Sequence, residues 1–322
     1  MPTPGAFKSN TMDMGTDALK PIIRKFIGQD RKDYAPIYPI YTEEMKTEDF
    51  FEKFGELGGF PDAPLKDEGD YLNLAKAPAG DQVDVQPEVR QLAFAITRED
   101  KKFNRIDKVQ RLTKKLSRAM IRTKERVATV PLNLGFSSTL NLGVDSQPLF
   151  SATHVNVGGV TFSNLLAVDL SMASLETAIT MFMTMVDNDG TPIVVTPKYL
   201  VVHPNNYLNA KRIVGSANYF TNGASGSEPA SQQPGTQAWT GAPNAIQDMG
   251  ITVVPNPYLT DVDAWYLLGP KGEEDNIVFV WNEDINDYIF EDQWTRDTVT
   301  SMQMSNVGAW LTPIGLVASS GG

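Results

Sequence analysis

The chain has 322 residues, 41% of them hydrophobic and 9% aromatic, enough to build a core in two domains or one elaborated domain. It contains no cysteine, which excludes disulfides, thiolate metal sites and thiol nucleophiles. The net charge is −11, which argues against a general nucleic-acid binder and confines any such contact to a local surface.

The opening MPTPGAFKSN has no apolar core of the signal-peptide kind. The longest apolar runs, such as 277–281, fall far short of the ~18 residues of a membrane span, so no membrane partner is expected. Residues 14–28 suit a short helix through Leu19, Ile22, Ile23, Phe26 and Ile27, despite Pro21. Residues 34–41 (YAPIYPIY) place prolines three apart among aromatics, which favours an extended, polyproline-like path. A short helical piece is expected at 47–54. An apolar, extended N-terminus reads as an arm lying on something, either a neighbour or its own domain.

Residues 55–97 read as a long hairpin excursion. Gly55, Gly58, Gly59, Pro61 and Pro64 break the chain, Tyr71 to Lys76 suits a strand, and Pro78 to Asp81 a turn. Val83, Val85 and Val89, then Leu92, Phe94 and Ile96, supply apolar alternation on the return. A protruding hairpin with little core of its own is marginal unless it lies on a neighbour. Tyr71, Leu72, Leu74, Val83, Val85 and Val89 are therefore candidate inter-subunit contacts.

The rest of the chain is organised around residues 98–131. Phe103, Ile106, Val109, Leu112, Leu116, Met120 and Val127 recur at helical spacing, and Pro131 marks the expected stop. Between Arg98 and Arg126 stand twelve basic and four acidic residues, a local net of +8 that leaves −19 for the remainder. That separation fits either a solvated helix face docked on an acidic domain or a basic face turned toward a polyanion.

Residues 133–160 are glycine-containing and hold Pro148-Leu-Phe-Ser-Ala-Thr-His154. A second helix is expected at 174–186, capped by Ser174, with Leu175, Ala178, Ile179, Phe182 and Val186 on its apolar face. Met172, Met181, Met183 and Met185 read as packing residues. A buried strand at 199–202 and a helix near 205–214 follow. Residues 216–247 form a low-complexity loop containing Trp239. Strands are expected at 251–254, 264–268, 277–281, 288–293 and 298–304, and the final Ser319 to Gly322 reads as a frayed tail.

Chemistry is sparse. The two histidines, His154 and His203, have no second histidine or cysteine nearby, so the expected role of His154 is a satisfied hydrogen bond in a loop. No nucleophile elbow, phosphate loop or dinucleotide fingerprint occurs. The carboxylates Asp284, Asp287, Glu291 and Asp292 fit a solvated acidic surface. No catalytic, cofactor or metal residue is assigned, and no enzyme is expected.

The order of these parts resembles the major capsid proteins of tailed bacteriophages, an α+β class with the Hong Kong 97-like fold. Gln147 to His154 looks like the Pro-Leu-Phe-Ser…His segment of Mu-like major head subunits. Pro197 to Pro204 with Asn209 to Ser216 looks like the strand and helix of their axial domain, and Asp263 to Leu268 like the strand leading back to the peripheral domain. The resemblance implies an N-terminal arm at 1–54, an E-loop at 55–97, and a peripheral domain with spine helix at 98–164. An axial domain at 165–270 and return strands at 271–322 complete it. It further implies self-assembly into hexamers and pentamers of an icosahedral shell enclosing double-stranded DNA, in a virion assembled in the host cytoplasm. Lys101, Lys108, Arg111, Lys114, Lys115, Arg118 and Arg122 would face the DNA. A separate scaffolding protein, a portal and a decoration protein are the further partners implied. An encapsulin-type shell enclosing cargo proteins shares the fold as a rival, and a carboxylate-dependent hydrolase is the rival of another class.

Overall fold

The computed structural model describes residues 16–57, 60, 63–69, 71, 74, 79–102, 106–140, 145–155, 159–186, 190–193, 195–219, 242–271 and 276–322. In chain order it contains α1 (Thr16–Asp33), β1 (Glu43–Lys46), β2 (Glu52–Leu57), β3 (Ala79–Val85), β4 (Glu88–Ile96), α2 (Arg98–Lys102) and α3 (Ile106–Asn133). Then come β5 (His154–Val155), β6 (Thr161–Phe162), β7 (Leu165–Leu166), α4 (Met172–Met183), β8 (Tyr199–Val202), α5 (Tyr207–Gly215), β9 (Asn218–Tyr219), β10 (Ala242–Pro243) and α6 (Ala245–Asp248). The chain closes with β11 (Thr252–Pro255), β12 (Trp265–Leu268), β13 (Ile277–Glu291), β14 (Thr298–Trp310) and β15 (Leu316–Ser319). It clusters into two compact units. The first comprises residues 1–54, 83–130 and 277–309, the second 55–82, 131–276 and 310–322.

The first unit is a helix layer on a four-stranded sheet of order β1-β13-β14-β4. β1 runs parallel to β13, and β14 runs antiparallel to β4 over nine uninterrupted pairs, Thr298 opposite Ile96 through Asn306 opposite Glu88. Leu19, Ile23 and Ile27 of α1 and Val109, Leu116 and Met120 of α3 pack against Ile96, Ile285, Met302 and Met304. Residues 16–33 are thus a helix docked on their own unit, and it passes through Pro21. Two expectations nearby are corrected. Tyr38–Ile40 is a 3-10 helix rather than an extended path, and 47–54 holds the start of β2 rather than a helix.

The second unit holds a mixed five-stranded sheet of order β11-β8-β12-β15-β7. Leu200, Val202, Val253, Trp265, Leu267 and Val317 share a core with α4 and α5. Another cluster is aromatic: Phe136, Phe150 and Tyr266 have ring centroids 5.4–5.7 Å apart. The C-terminus is not frayed. β15 is an interior strand, Ser319 is fully buried, and the Gly322 N–H donates to the Asp169 carboxylate at 3.1 Å.

Two helix boundaries also move. α4 begins at Met172 because Ser171, not Ser174, is the cap, with the Ser171 and Ser174 hydroxyls closing a reciprocal capping box. α3 continues past Pro131 to Asn133. Pro131 has no N–H to give the Val127 carbonyl, so the last turn forgoes one of its own bonds. Here the Tyr266 hydroxyl donates to the Leu132 carbonyl at 3.1 Å and the Asn133 amide to the Tyr258 carbonyl at 3.0 Å, which holds the helix end.

Candidate polyanion interface

α3 is amphipathic in charge as well as in hydropathy. Val109, Thr113, Leu116, Ser117 and Met120 are buried, while Arg111, Lys114, Lys115, Arg118 and Arg122 are exposed. At about 100° per residue these five cations fall within an arc of roughly 100°. Arg111 to Arg122 spans on the order of 17 Å along the axis. Lys114 also lies over the Phe26 ring of α1, 5.9 Å from its centroid. Acidic residues are nearly absent from this helix. Asp107 opens it, and Glu125 is buried.

Two of the seven cations expected here are used elsewhere. Lys101 is not on the exposed face. Its side chain is buried, its ammonium donates to the Arg296 carbonyl at 2.6 Å, and the Glu291 carboxylate lies 3.8 Å away. The turn between β13 and β14 leaves carbonyls without ladder partners, and Lys101 satisfies one. Lys108 is half exposed and ion-paired to Asp100. Phe103 and Arg105 lie outside the described residues.

Past Arg122 the helix is buried on more sides, because the N-terminal segment crosses it. The Glu125 carboxylate accepts the backbone N–H groups of Ile37, at 2.7 Å, and Tyr38, at 3.3 Å, so it caps the 3-10 helix from outside. Burial pushes this carboxyl above its ordinary range, against the pull of those two N–H groups and of Lys124. The Tyr38 hydroxyl donates to Glu44, and burial together with that carboxylate raises the phenol. Lys124 pairs with Asp284 at 3.1 Å. Partial burial alone would raise Asp284, but Lys124 and the Ile285 N–H hold it below the usual range. Sequence reasoning missed Glu125. Its one signal was an acid in a basic run.

The remaining candidates divide cleanly. Tyr71, Leu74 and Val89 are exposed, at 98%, 89% and 64%. Val83 and Val85 are buried within the chain, which removes them as inter-subunit contacts. They belong to β3, which pairs with β2, and alternate with exposed Gln82 and Asp84. Leu72 and most of the strand expected at 71–76 lie outside the described residues.

His154 is fully buried, with Nδ1 2.6 Å from the Asp145 carboxylate, Nε2 3.2 Å from the Leu149 carbonyl, and its ring stacked on Phe162. It pins the loop before β5. His203 caps the 3-10 turn before α5 by accepting the Asn205 N–H. Asp287 pairs with Arg24 at 3.0 Å, and Asp292 accepts the N–H groups of Trp294 and Thr295. Among the described residues there is no cluster of potential metal ligands, and no helix is long and apolar enough to cross a membrane.

A family profile described as phage capsid protein matches residues 80–319. No curated protein matches the sequence. Among solved structures, the capsid of the cyanophage P-SCSP1u is similar at a TM-score of 0.55 and 11% identity, over 89% of this chain and 88% of that one. The virus-like particle from Pyrococcus furiosus is similar at 0.50 and 10% identity, over 93% and 98%. The head of Helicobacter pylori bacteriophage KHP40 is similar at 0.50 and 10% identity, over 86% and 87%.

Proposed function

We propose that this chain, which belongs to the phage capsid protein family, is the repeating subunit of an icosahedral shell whose α3 face lies against packaged double-stranded DNA. It is a structural major capsid protein with an α+β, Hong Kong 97-like fold. The finer reading is assembly into hexamers and pentamers, with DNA held by charge rather than by sequence. A scaffolding protein, a portal and a decoration protein complete that reading, with assembly in the host cytoplasm.

The observation that carries the DNA contact is the row Arg111, Lys114, Lys115, Arg118 and Arg122 on a chain of net charge −11. A duplex presents one phosphate charge per about 1.7 Å of axis, so roughly ten phosphates pass along a 17 Å row. Five cations suffice to neutralise about half of them, and contacts to phosphates position a duplex without reading its sequence. Tyr71 and Leu74, exposed on the excursion after β2, are proposed to lie on a neighbouring subunit. The capsid family favours nucleic acid over a cargo protein as the contents.

The test is nuclease protection of DNA in assembled particles. Wild-type shells are expected to hold DNA that leaves as salt rises. Shells that hold only protein, or DNA retention insensitive to reversal of the α3 charges, would overturn the DNA reading.

A further inference from the structure

α1 carries the dipeptide Arg-Lys twice, at Arg24-Lys25 and Arg31-Lys32. The copies stand two helical turns apart, so each member of one pair shares a face with its counterpart in the other. The arginines dock the helix. Arg24 pairs with Asp287 at 3.0 Å, and Arg31 donates to the Ile285 carbonyl, so both tie α1 to β13. The lysines lie about 100° further round, opposite the buried face of Leu19, Ile23 and Ile27. Both are exposed, and neither has an ion-pair partner among the described residues. α1 also precedes residues 80–319, so the family match does not account for it.

α1 runs beside α3 in the same direction. Phe26 lies beneath the Lys114 ammonium, and further along both helices Arg31 and Ile121 line one cavity. This sets Lys25 level with Lys114 and Lys115, and Lys32 level with Arg122. The helix layer of the first unit therefore shows solvent two lines of cations rather than one. Packed helices lie about 8–10 Å axis to axis. A duplex holds its two backbones apart across grooves about 6 and 12 Å wide. Two lines at that separation suit the backbones on either side of one groove, whereas a single line suits one strand. We infer that Lys25 and Lys32 belong to the polyanion interface, and that α1 and α3 together take a double-stranded nucleic acid, one line of cations to each backbone. The inference rests on the DNA reading of α3 and deepens it. A protein partner would need an apolar or aromatic anchor at the centre of its contact. Here every exposed residue of α3 from Arg111 to Arg122 is a cation, and the exposed residues described between Lys25 and Lys32 are Gly28 and Gln29.

The test measures binding of the full chain, at one salt concentration, to a short duplex and to its separated strands. Lys25→Glu with Lys32→Glu should keep the wild-type melting temperature, because both residues are exposed. That variant should bind the duplex about tenfold more weakly and the single strands no more than about twofold more weakly. Lys25→Gln with Lys32→Gln, which removes the charges without reversing them, should show the same order with smaller losses. Unchanged duplex binding, or equal losses on duplex and single strand, overturns the inference and leaves the α3 reading intact. Duplex binding that survives reversal of Arg111, Lys115 and Arg122 overturns the α3 reading, and the inference with it. Polyglutamate that competes as well as the duplex at equal charge makes this a surface for acidic protein and overturns both.

Discussion

The Lys101 ammonium sits 2.6 Å from the Arg296 carbonyl oxygen, and this bond takes one lysine out of a row of cations and gives it to a turn. Arg296 has a left-handed backbone (φ 58°), and its N–H donates to the Asp292 carbonyl at 2.9 Å. Nearby, Asp297 accepts the Arg98 N–H at 3.0 Å. Lys101→Met is expected to cost about 1–3 kcal/mol, since it strips a charged donor from a partly buried carbonyl and removes a cation 3.8 Å from the Glu291 carboxylate. DNA retention by assembled particles should not change. Urea unfolding and nuclease protection measured on one preparation separate the two effects.

Reversing the exposed row has the opposite profile. Arg111→Glu, Lys115→Glu and Arg122→Glu together should leave the subunit's unfolding free energy within about 0.5 kcal/mol per site, since each residue is exposed. DNA affinity should fall and lose much of its salt dependence. Five phosphate contacts give a slope of log K against log salt of about −4.5, and removing three should bring it near −2. Filter binding across a salt series reads this directly.

Glu125 makes subunit stability depend on pH with a sign that can be worked out. Its folded carboxyl is raised, so the protonated form favours folding, and that contribution is lost as pH climbs through the folded value. Relative to wild type, Glu125→Gln should therefore gain stability across that rise. Asp284 is lowered and behaves conversely: its contribution is present above the ordinary aspartate range and lost as pH falls through the folded value. The deficit of Asp284→Asn should shrink in acid. Glu125→Ala, which leaves two N–H groups without their acceptor, should cost about 1–3 kcal/mol at neutral pH. Denaturant titrations from pH 3 to 8 test all three.

The hairpin residues should split into two classes. Tyr71→Ser with Leu74→Ser should leave the subunit's melting temperature unchanged and reduce shell formation, because both side chains are exposed. Val83→Ala and Val85→Ala should each destabilise the subunit by about 1–3 kcal/mol, because both are buried in it. Calorimetry on the subunit and sedimentation of the assembly distinguish the classes.

What the sequence disclosed follows from which signals are local. The 3.6-residue period of α3 and the alternation of Thr300, Met302 and Met304 name their core faces, and both pack as expected. Proline was weighed too heavily. Pro39 sits in a 3-10 helix and Pro131 inside α3, held by contacts that no local propensity records. β13 was legible only at its two ends, because Asn282-Glu-Asp-Ile-Asn-Asp287 looks like a loop. In the fold Asp284 and Asp287 are paired to Lys124 and Arg24, which makes a charged strand tolerable. The burial of Lys101 and the capping by Glu125 depend on partners 195 and 88 residues away; nothing local announces the first, and only an acid within a basic run hints at the second.

The measurement that tests the central claim most directly is light scattering with negative-stain microscopy of the purified chain, combined with hydrogen exchange over residues 60–74. The capsid reading predicts rings of five or six subunits or hollow shells, with exchange in this stretch slowing on assembly. A chain that stays monomeric at every concentration, with residues 60–74 already slow to exchange because they are packed on their own subunit, would contradict it.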